Sequence, residues 1–148
     1  MLAIGRLRRG PLKDLAADYA GRIAPPVAIV ELEASGRLPP PAAKAREAEL
    51  ILAALPAGAR LVALDERGAS WSSRAFADRI AAWRDQGLPE LAFAIGGADG
   101  LGAMVLDRAE TVLSLGAMTW PHLLARIMLL EQLYRAQQIL AGHPYHRD

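Results

Sequence analysis

Leu91-Ala-Phe-Ala-Ile-Gly-Gly-Ala-Asp-Gly-Leu-Gly102 is an apolar run that opens straight into glycines. An unbroken apolar pentad bounded by turn residues fits a strand buried on both faces, as in a parallel sheet covered by helices. Gly96, Gly97, Gly100 and Gly102 then allow a sharp turn or a close approach to another backbone or a ligand. The spacing matches neither G-x-G-x-x-G nor G-x-x-x-x-G-K-[ST]. The dinucleotide fingerprint and the phosphate-cradling loop are therefore both excluded. Taken alone, the turn serves equally as a plain strand-to-helix connection.

Strands and helices alternate on either side of this segment. Met1–Arg6 reads as a short buried strand, and Pro11 starts a helix with Leu12, Leu15, Tyr19 and Ile23 at helical spacing. Val27–Glu33 reads as a second strand, and Ala34–Pro41, with its three successive prolines, as a loop without regular structure. A helix is expected from about Ala42 to Leu55. Arg60–Asp65 is a third strand, with LDERG (Leu64–Gly68) leading into a loop at its end. Ser72 or Ser73 can cap a helix carrying Phe76, Ile80 and Trp83 on one stripe, and Gly87 suits its C-terminus. After the glycine turn come a short helix at Leu101–Ala109, a fifth strand at Thr111–Leu115, and a last helix from near Pro121 to about Leu140. With no repeats and no break, this order predicts one α/β domain over residues 1–148, with a mainly parallel sheet flanked by helices.

Composition narrows the function. At 148 residues and 53% hydrophobic content the chain can bury a real core, and its net charge of +1 rules out a general polyanion binder. Binding to nucleic acid would rest on a local basic surface such as Arg6, Arg8, Arg9 and Lys13. The absence of cysteine excludes disulfides, thiolate metal sites and a cysteine nucleophile. No run approaches a membrane span, and the start lacks a signal peptide's apolar stretch, so the chain reads as cytoplasmic with no membrane partner.

Ligands of open α/β sheets sit beyond the carboxyl ends of the strands. LDERG, IGGADGLG and SLGAMTWPH (Ser114–His122) share that rim. The last, with small residues, Met118 and Trp120, could wrap an apolar adenosine or thioether, or simply be a buried connection. The tail HPYHRD (His143–Asp148) interleaves an aromatic with cations, which suits an RNA base and its phosphate but also a frayed terminus. Pro144 breaks helical spacing between His143 and His146, so no metal site is expected. Glu131 and Arg135 are spaced to pair along a helix, while Arg126 lies nearer the loop, where it could meet a substrate phosphate or serve the structure.

Together, LDERG, IGGADGLG, LSLGAMTWPHLLARIMLLEQLYRA (Leu113–Ala136) and HPYHRD resemble the ribosomal RNA large-subunit methyltransferase H family, small SPOUT-class enzymes. GRLRRGPL and DYAGRI near the start fit as well. The resemblance implies a SPOUT-type sheet with a C-terminal trefoil knot, a homodimer, and S-adenosylmethionine as methyl donor. It implies N3 of a pseudouridine in 23S rRNA, within the ribosome, as acceptor. By position, it assigns cofactor contacts to Leu64, Gly96, Leu115, Gly116, Ala117, Met118, Thr119 and Trp120. It brings the tail residues Tyr145, His146 and Arg147 to the active site. Ala98–Asp99 and Leu123 depart from the family pattern, and altered packing is expected there.

In-line methyl transfer needs alignment of donor and acceptor, together with a route for the acceptor's proton. The missing cysteine favours nitrogen or oxygen over carbon as acceptor. His146 is the candidate base, its ordinary pKa being suitable. Alternatively no side chain acts as base, and Arg147, Arg126 or Tyr145 stabilises the developing anion. Two other readings stay open: a non-catalytic RNA-binding ribosome-assembly factor of the same fold, and a small-ligand hydrolase using Asp65 or Asp99.

Overall fold

Five parallel strands lie in the order β2-β1-β4-β3-β5, where β1 is Leu2–Ile4, β2 Val30–Leu32, β3 Arg60–Ser70, β4 Leu91–Ile95 and β5 Thr111–Ser114. The connecting helices are α1 (Pro11–Arg22), α2 (Pro40–Ala54), α3 (Ser73–Asp85), α4 (Ala103–Arg108) and α5 (His122–Leu140). The structure, a computed structural model, describes residues 1–36, 38–87 and 90–146. The parallel α/β architecture expected from the alternation is the one observed.

The central strands are apolar on both faces because both faces are covered. Successive side chains of a strand point to opposite sides. In β4, Phe93 and Ile95 enter one core with Ala16, Phe76, Trp83, Ile127 and Leu130 from α1, α3 and α5. Ala92 and Ala94 enter the other, with Ala48 and Ile51 of α2 and Val105 of α4. Burying a side chain the size of Phe93 contributes about 1.5–3 kcal/mol. Small alanines on the second face let α2 sit close over the glycine turn.

Three boundaries differ from the sequence reading, each for a local reason. The helix α2 begins at Pro40, inside the run expected to be irregular, with Pro39 at its N-cap and Pro41 in its first turn. First-turn amides have no intrahelical partner, so proline loses nothing there. The second strand shortens to Val30–Leu32, paired only with β1 at the sheet edge. LDERG does not end the third strand. Leu64 and Ala69 both pair with Leu113 of β5, so Asp65–Gly68 bulges out of a strand that continues to Ser70. Gly68 permits this, since a Cβ there would lie 2.7 Å from the backbone of Val112 and Leu113.

At the ends of α3, Ser72 accepts a hydrogen bond from the Ala75 amide at 3.1 Å, and Gly87 adopts φ +69°. The edge strand β5 and the long helix α5, which packs against both α1 and α3, are joined by residues 115–121 across the carboxyl rim of the sheet. No described helix is long and apolar enough to cross a membrane.

Candidate functional site

The turn after β4 needs its glycines for different reasons. Gly97 accepts from the Gly100 amide at 3.1 Å, closing a tight turn with Ala98 and Asp99 exposed at its tip. Gly100 has φ +75°, a conformation that favours glycine. Gly96 is needed for space: a Cβ there would lie 2.5 Å from the Gly100 carbonyl carbon and 2.7 Å from the Leu101 nitrogen. At Gly102 a Cβ would meet that of Ala48 at 2.9 Å, so α2 packs directly on the turn. The family departure at Ala98–Asp99 thus falls on the turn's exposed tip. Leu123, the other departure, packs against the core that holds α5.

This turn, the bulge of β3 and the loop after β5 enclose a cavity of about 490 Å³. Leu64, Gly96, Leu115, Gly116, Met118, Thr119 and Trp120 all line it. Ala117 does not, and stands exposed on the same loop. Asp65 accepts from the Arg67 side chain at 2.8 Å and from its amide at 3.0 Å, which holds its carboxyl below the usual range. Thr119 donates to Glu66 at 3.1 Å, tying the loop to the bulge. Ser114 braces the same loop, donating to the Gly116 carbonyl at 2.9 Å. Met118 is 72% exposed and Trp120 41%, so the cavity has a large apolar rim. Glu47 of α2 lies beside Gly97, and burial, with Asp99 second, raises its pKa above the ordinary value.

His122, at the start of α5, also lines the cavity. One turn on, Arg126 is 0% exposed. Its guanidinium donates to the carbonyls of Ile4 and Gly5 and pairs with Glu31 of β2 at 3.1 Å. Glu31 also accepts from the Leu7 amide at 2.6 Å. One buried clasp therefore joins β1, β2 and α5. Arg126 and His122 converge over Gly5: a Cβ at that glycine would lie 3.5 Å from an Arg126 nitrogen and 3.6 Å from the His122 Nε2. Burial, and then the charge of Arg126, lower the His122 pKa from its ordinary 6.5. Of the two readings left open for Arg126, phosphate contact or structural part, this chain presents the second, because its guanidinium is enclosed by the chain's own carbonyls and carboxylate.

The tail lies elsewhere. Tyr145 donates to Glu131 at 3.2 Å, meets the ring of Tyr134 edge-on at 4.9 Å, and stacks under Arg135. Burial, then a hydrogen bond with Tyr19, push its pKa up to about 12. Nδ1 of His146 stands 3.4 Å from Arg135, which also pairs with Glu131 at 2.8 Å. Arg147 lies outside the described residues. Glu131 is nine residues beyond His122, about 13 Å along a helix, so the tail stands away from the glycine-turn cavity of its own chain. It adjoins a second cavity of about 470 Å³, lined by Tyr19, Trp71, Phe76 and Glu131, which shares Leu113, Leu115 and Gly116 with the first.

The sequence reading passed over Lys44 and His122, which also line the cavity. Lys44 comes from α2, distant in sequence, and nothing local signals it. His122 had a signal, since it directly follows the Trp120–Pro121 end of the loop. As for a hydrolase, no serine lines the cavity and Asp65 is held by Arg67. Among the described residues, no group of three or more His, Cys, Asp or Glu could hold a metal ion.

Comparison with known proteins fits this geometry. A family model described as "Predicted SPOUT methyltransferase" matches residues 1–146. A protein of Rhodospirillum centenum named ribosomal RNA large subunit methyltransferase H is 56% identical over 147 residues, covering 99% of this chain and 97% of the relative. Relatives of the same name from Paramagnetospirillum magneticum and Rhodospirillum rubrum are 53% and 52% identical, covering 98% and 99% of this chain and 95% and 96% of their own. With a family model matched over nearly the whole chain and relatives more than half identical along it, the chain belongs to the SPOUT methyltransferases, in the ribosomal RNA large subunit methyltransferase H family.

Proposed function

We propose that this protein methylates N3 of a pseudouridine in 23S rRNA, within the ribosome in the cytoplasm, with S-adenosylmethionine as donor. The observation that carries the reading is the convergence of Leu64, Gly96 and the loop Leu115–Trp120 on one cavity. The relatives' name supplies the class of RNA.

The residues present fit the donor. Leu64, Ile95, Leu115 and Met118 offer an apolar wall for an adenosine, and Gly96 places backbone without a side chain on that wall. Asp99 suits an amino group, and Lys44 a carboxylate. When bound, S-adenosylmethionine supplies a methyl group on a sulfonium. The chain's own part is to hold and orient it, to exclude water, and to manage the acceptor's proton.

The working form in this reading is a homodimer. The resemblance then brings Tyr145, His146 and Arg147 to the cavity of the other copy, the tail standing away from the cavity of its own chain. Leu15 on α1 and Leu124 and Leu140 on α5 are exposed, and α5 carries apolar residues on every side, which suits a helix covered by a partner. A trefoil knot is consistent with the edge position of β5 and the return of the chain to α5 between α1 and α3.

The test is a thermal shift with S-adenosylmethionine, followed by mass mapping of 23S rRNA from ribosomes lacking the modification. Stabilisation together with one new methyl on a pseudouridine is expected. Ribosome binding without any response to the donor would instead identify a non-catalytic assembly factor.

A further inference from the structure

Transfer of a methyl to a ring nitrogen breaks an N–H bond and leaves the electron pair on nitrogen for the new bond to carbon. The C–S pair goes to sulfur, and the proton needs an acceptor. In its own chain the tail lies beside Glu131, and in the homodimer proposed above the other copy's His146 is the rival acceptor that the test below separates. The chain that forms the cavity also supplies a histidine on its wall. We propose that His122, on the cavity wall and braced through Arg126 and Glu31, takes the proton that the target nitrogen gives up. This inference rests on the methyl-transfer reading above.

The other polar groups of the cavity are committed or unsuited. From β3, Asp65 is held by Arg67, and Glu66 accepts from Thr119. Asp99 stands exposed at the tip of the glycine turn, where it is given to water rather than to the interior of the cavity. Lys44 of α2 and Arg67 are donors only when charged. The turn after β1 presents Gly5 to His122, while Arg6 pairs with Glu33 at 3.0 Å. From its own helix, Arg126 faces His122, and Glu31 of β2 balances that guanidinium. His122 thus lines the cavity beside a fixed positive charge, and burial together with that charge favours its neutral form. A lone pair is available at neutral pH, and the proton, once accepted, is readily passed to water because Arg126 disfavours the imidazolium.

Arg126 and Glu31 are positioning residues in this account. They fix the first turn of α5 against β1 and set the proton affinity of His122. The sequence left Arg126 open between a phosphate contact and a structural part, and its partners make it act through its neighbour.

The test uses full-length protein and ribosomes lacking the modification, with His122→Gln, His146→Ala and Glu31→Gln. His122→Gln should keep its S-adenosylmethionine affinity within about threefold and lose roughly 100-fold in kcat. The wild-type acid limb of the pH–rate profile should vanish with it. A second readout needs no turnover: NMR titration of the imidazole protons, with three histidines to assign. The His122 midpoint should lie below 6.5, and should fall further in Glu31→Gln, where the charge of Arg126 is no longer balanced. Unchanged kcat and an intact acid limb in His122→Gln would overturn the proposal. So would loss of that limb in His146→Ala alone, or a His122 midpoint at or above 6.5. A wild-type protein that transfers no methyl to ribosomal RNA would remove the methyl-transfer reading, and this inference with it.

Discussion

Replacing Gly96 by alanine separates what the glycine turn does for the fold from what it does for the ligand. The backbone at Gly96 is not left-handed, so alanine suffers no conformational penalty there. Its methyl would instead lie 2.5 Å from the Gly100 carbonyl carbon and 2.7 Å from both the Gly100 oxygen and the Leu101 nitrogen. Ordinary contact is near 3.5 Å, so the two arms of the turn must part by about 1 Å. That strain costs about 1–3 kcal/mol, and losing the Gly100-to-Gly97 hydrogen bond adds about 1 kcal/mol. Against a typical domain stability of about 5–15 kcal/mol, the variant stays folded. Its Tm should fall by roughly 5–15 °C. The cavity wall moves by the same distance, and affinity for S-adenosylmethionine should drop at least about 100-fold, or roughly 2.7 kcal/mol. Circular dichroism melts and calorimetric titration measure the two effects separately. Gly21→Ala is the control: it lies within α1 with nothing within 4 Å of the added methyl, and should stabilise by about 0.5–1 kcal/mol. A folded Gly96→Ala protein with wild-type affinity would refute the cradle argument.

Two further outcomes follow from local geometry. Ser72→Ala removes the cap of α3 and should lower stability by about 1 kcal/mol in a denaturant titration, with no change in the slope. Spectrophotometric titration of the three tyrosines should show one phenol ionising near 12, absent in Tyr145→Phe. The sign is that of a raised folded-state pKa: the contribution of the Tyr145 contact is complete below 10 and is lost as pH rises through about 12. A Tyr145 titrating at 10 would show that the tail does not rest on Tyr19 and Glu131.

Much of the architecture was legible because each element carries its own periodicity. LAFAI, a short apolar run opening into glycines, read as a buried strand, and the stripe of Phe76, Ile80 and Trp83 made α3 a surface helix whose inner face is now seen in the core. The cavity residues were legible through family resemblance, and the loop Leu115–Trp120 meets Gly96 and Leu64 as expected, with Ala117 the exception. The Pro39–Pro41 run misled because proline opposes a helix interior yet suits its first turn. The β3 bulge was invisible because it depends on Gly68 approaching the backbone of β5, a partner over forty residues away.

By itself, the sequence determined the order and kind of the elements, the glycine turn, the pairing of Glu131 with Arg135 and the family. Those follow from spacing within a segment and from motifs read in order. Only the tertiary structure decided what Arg126 and His122 are. Arg126 loses all exposure because Glu31, Ile4 and Gly5, roughly a hundred residues earlier, close around it. His122 becomes a wall of the cavity because that clasp pins the first turn of α5 against β1. A charge on a helix has no fixed role until its surroundings are known, since burial and partners, not residue type, set its energy.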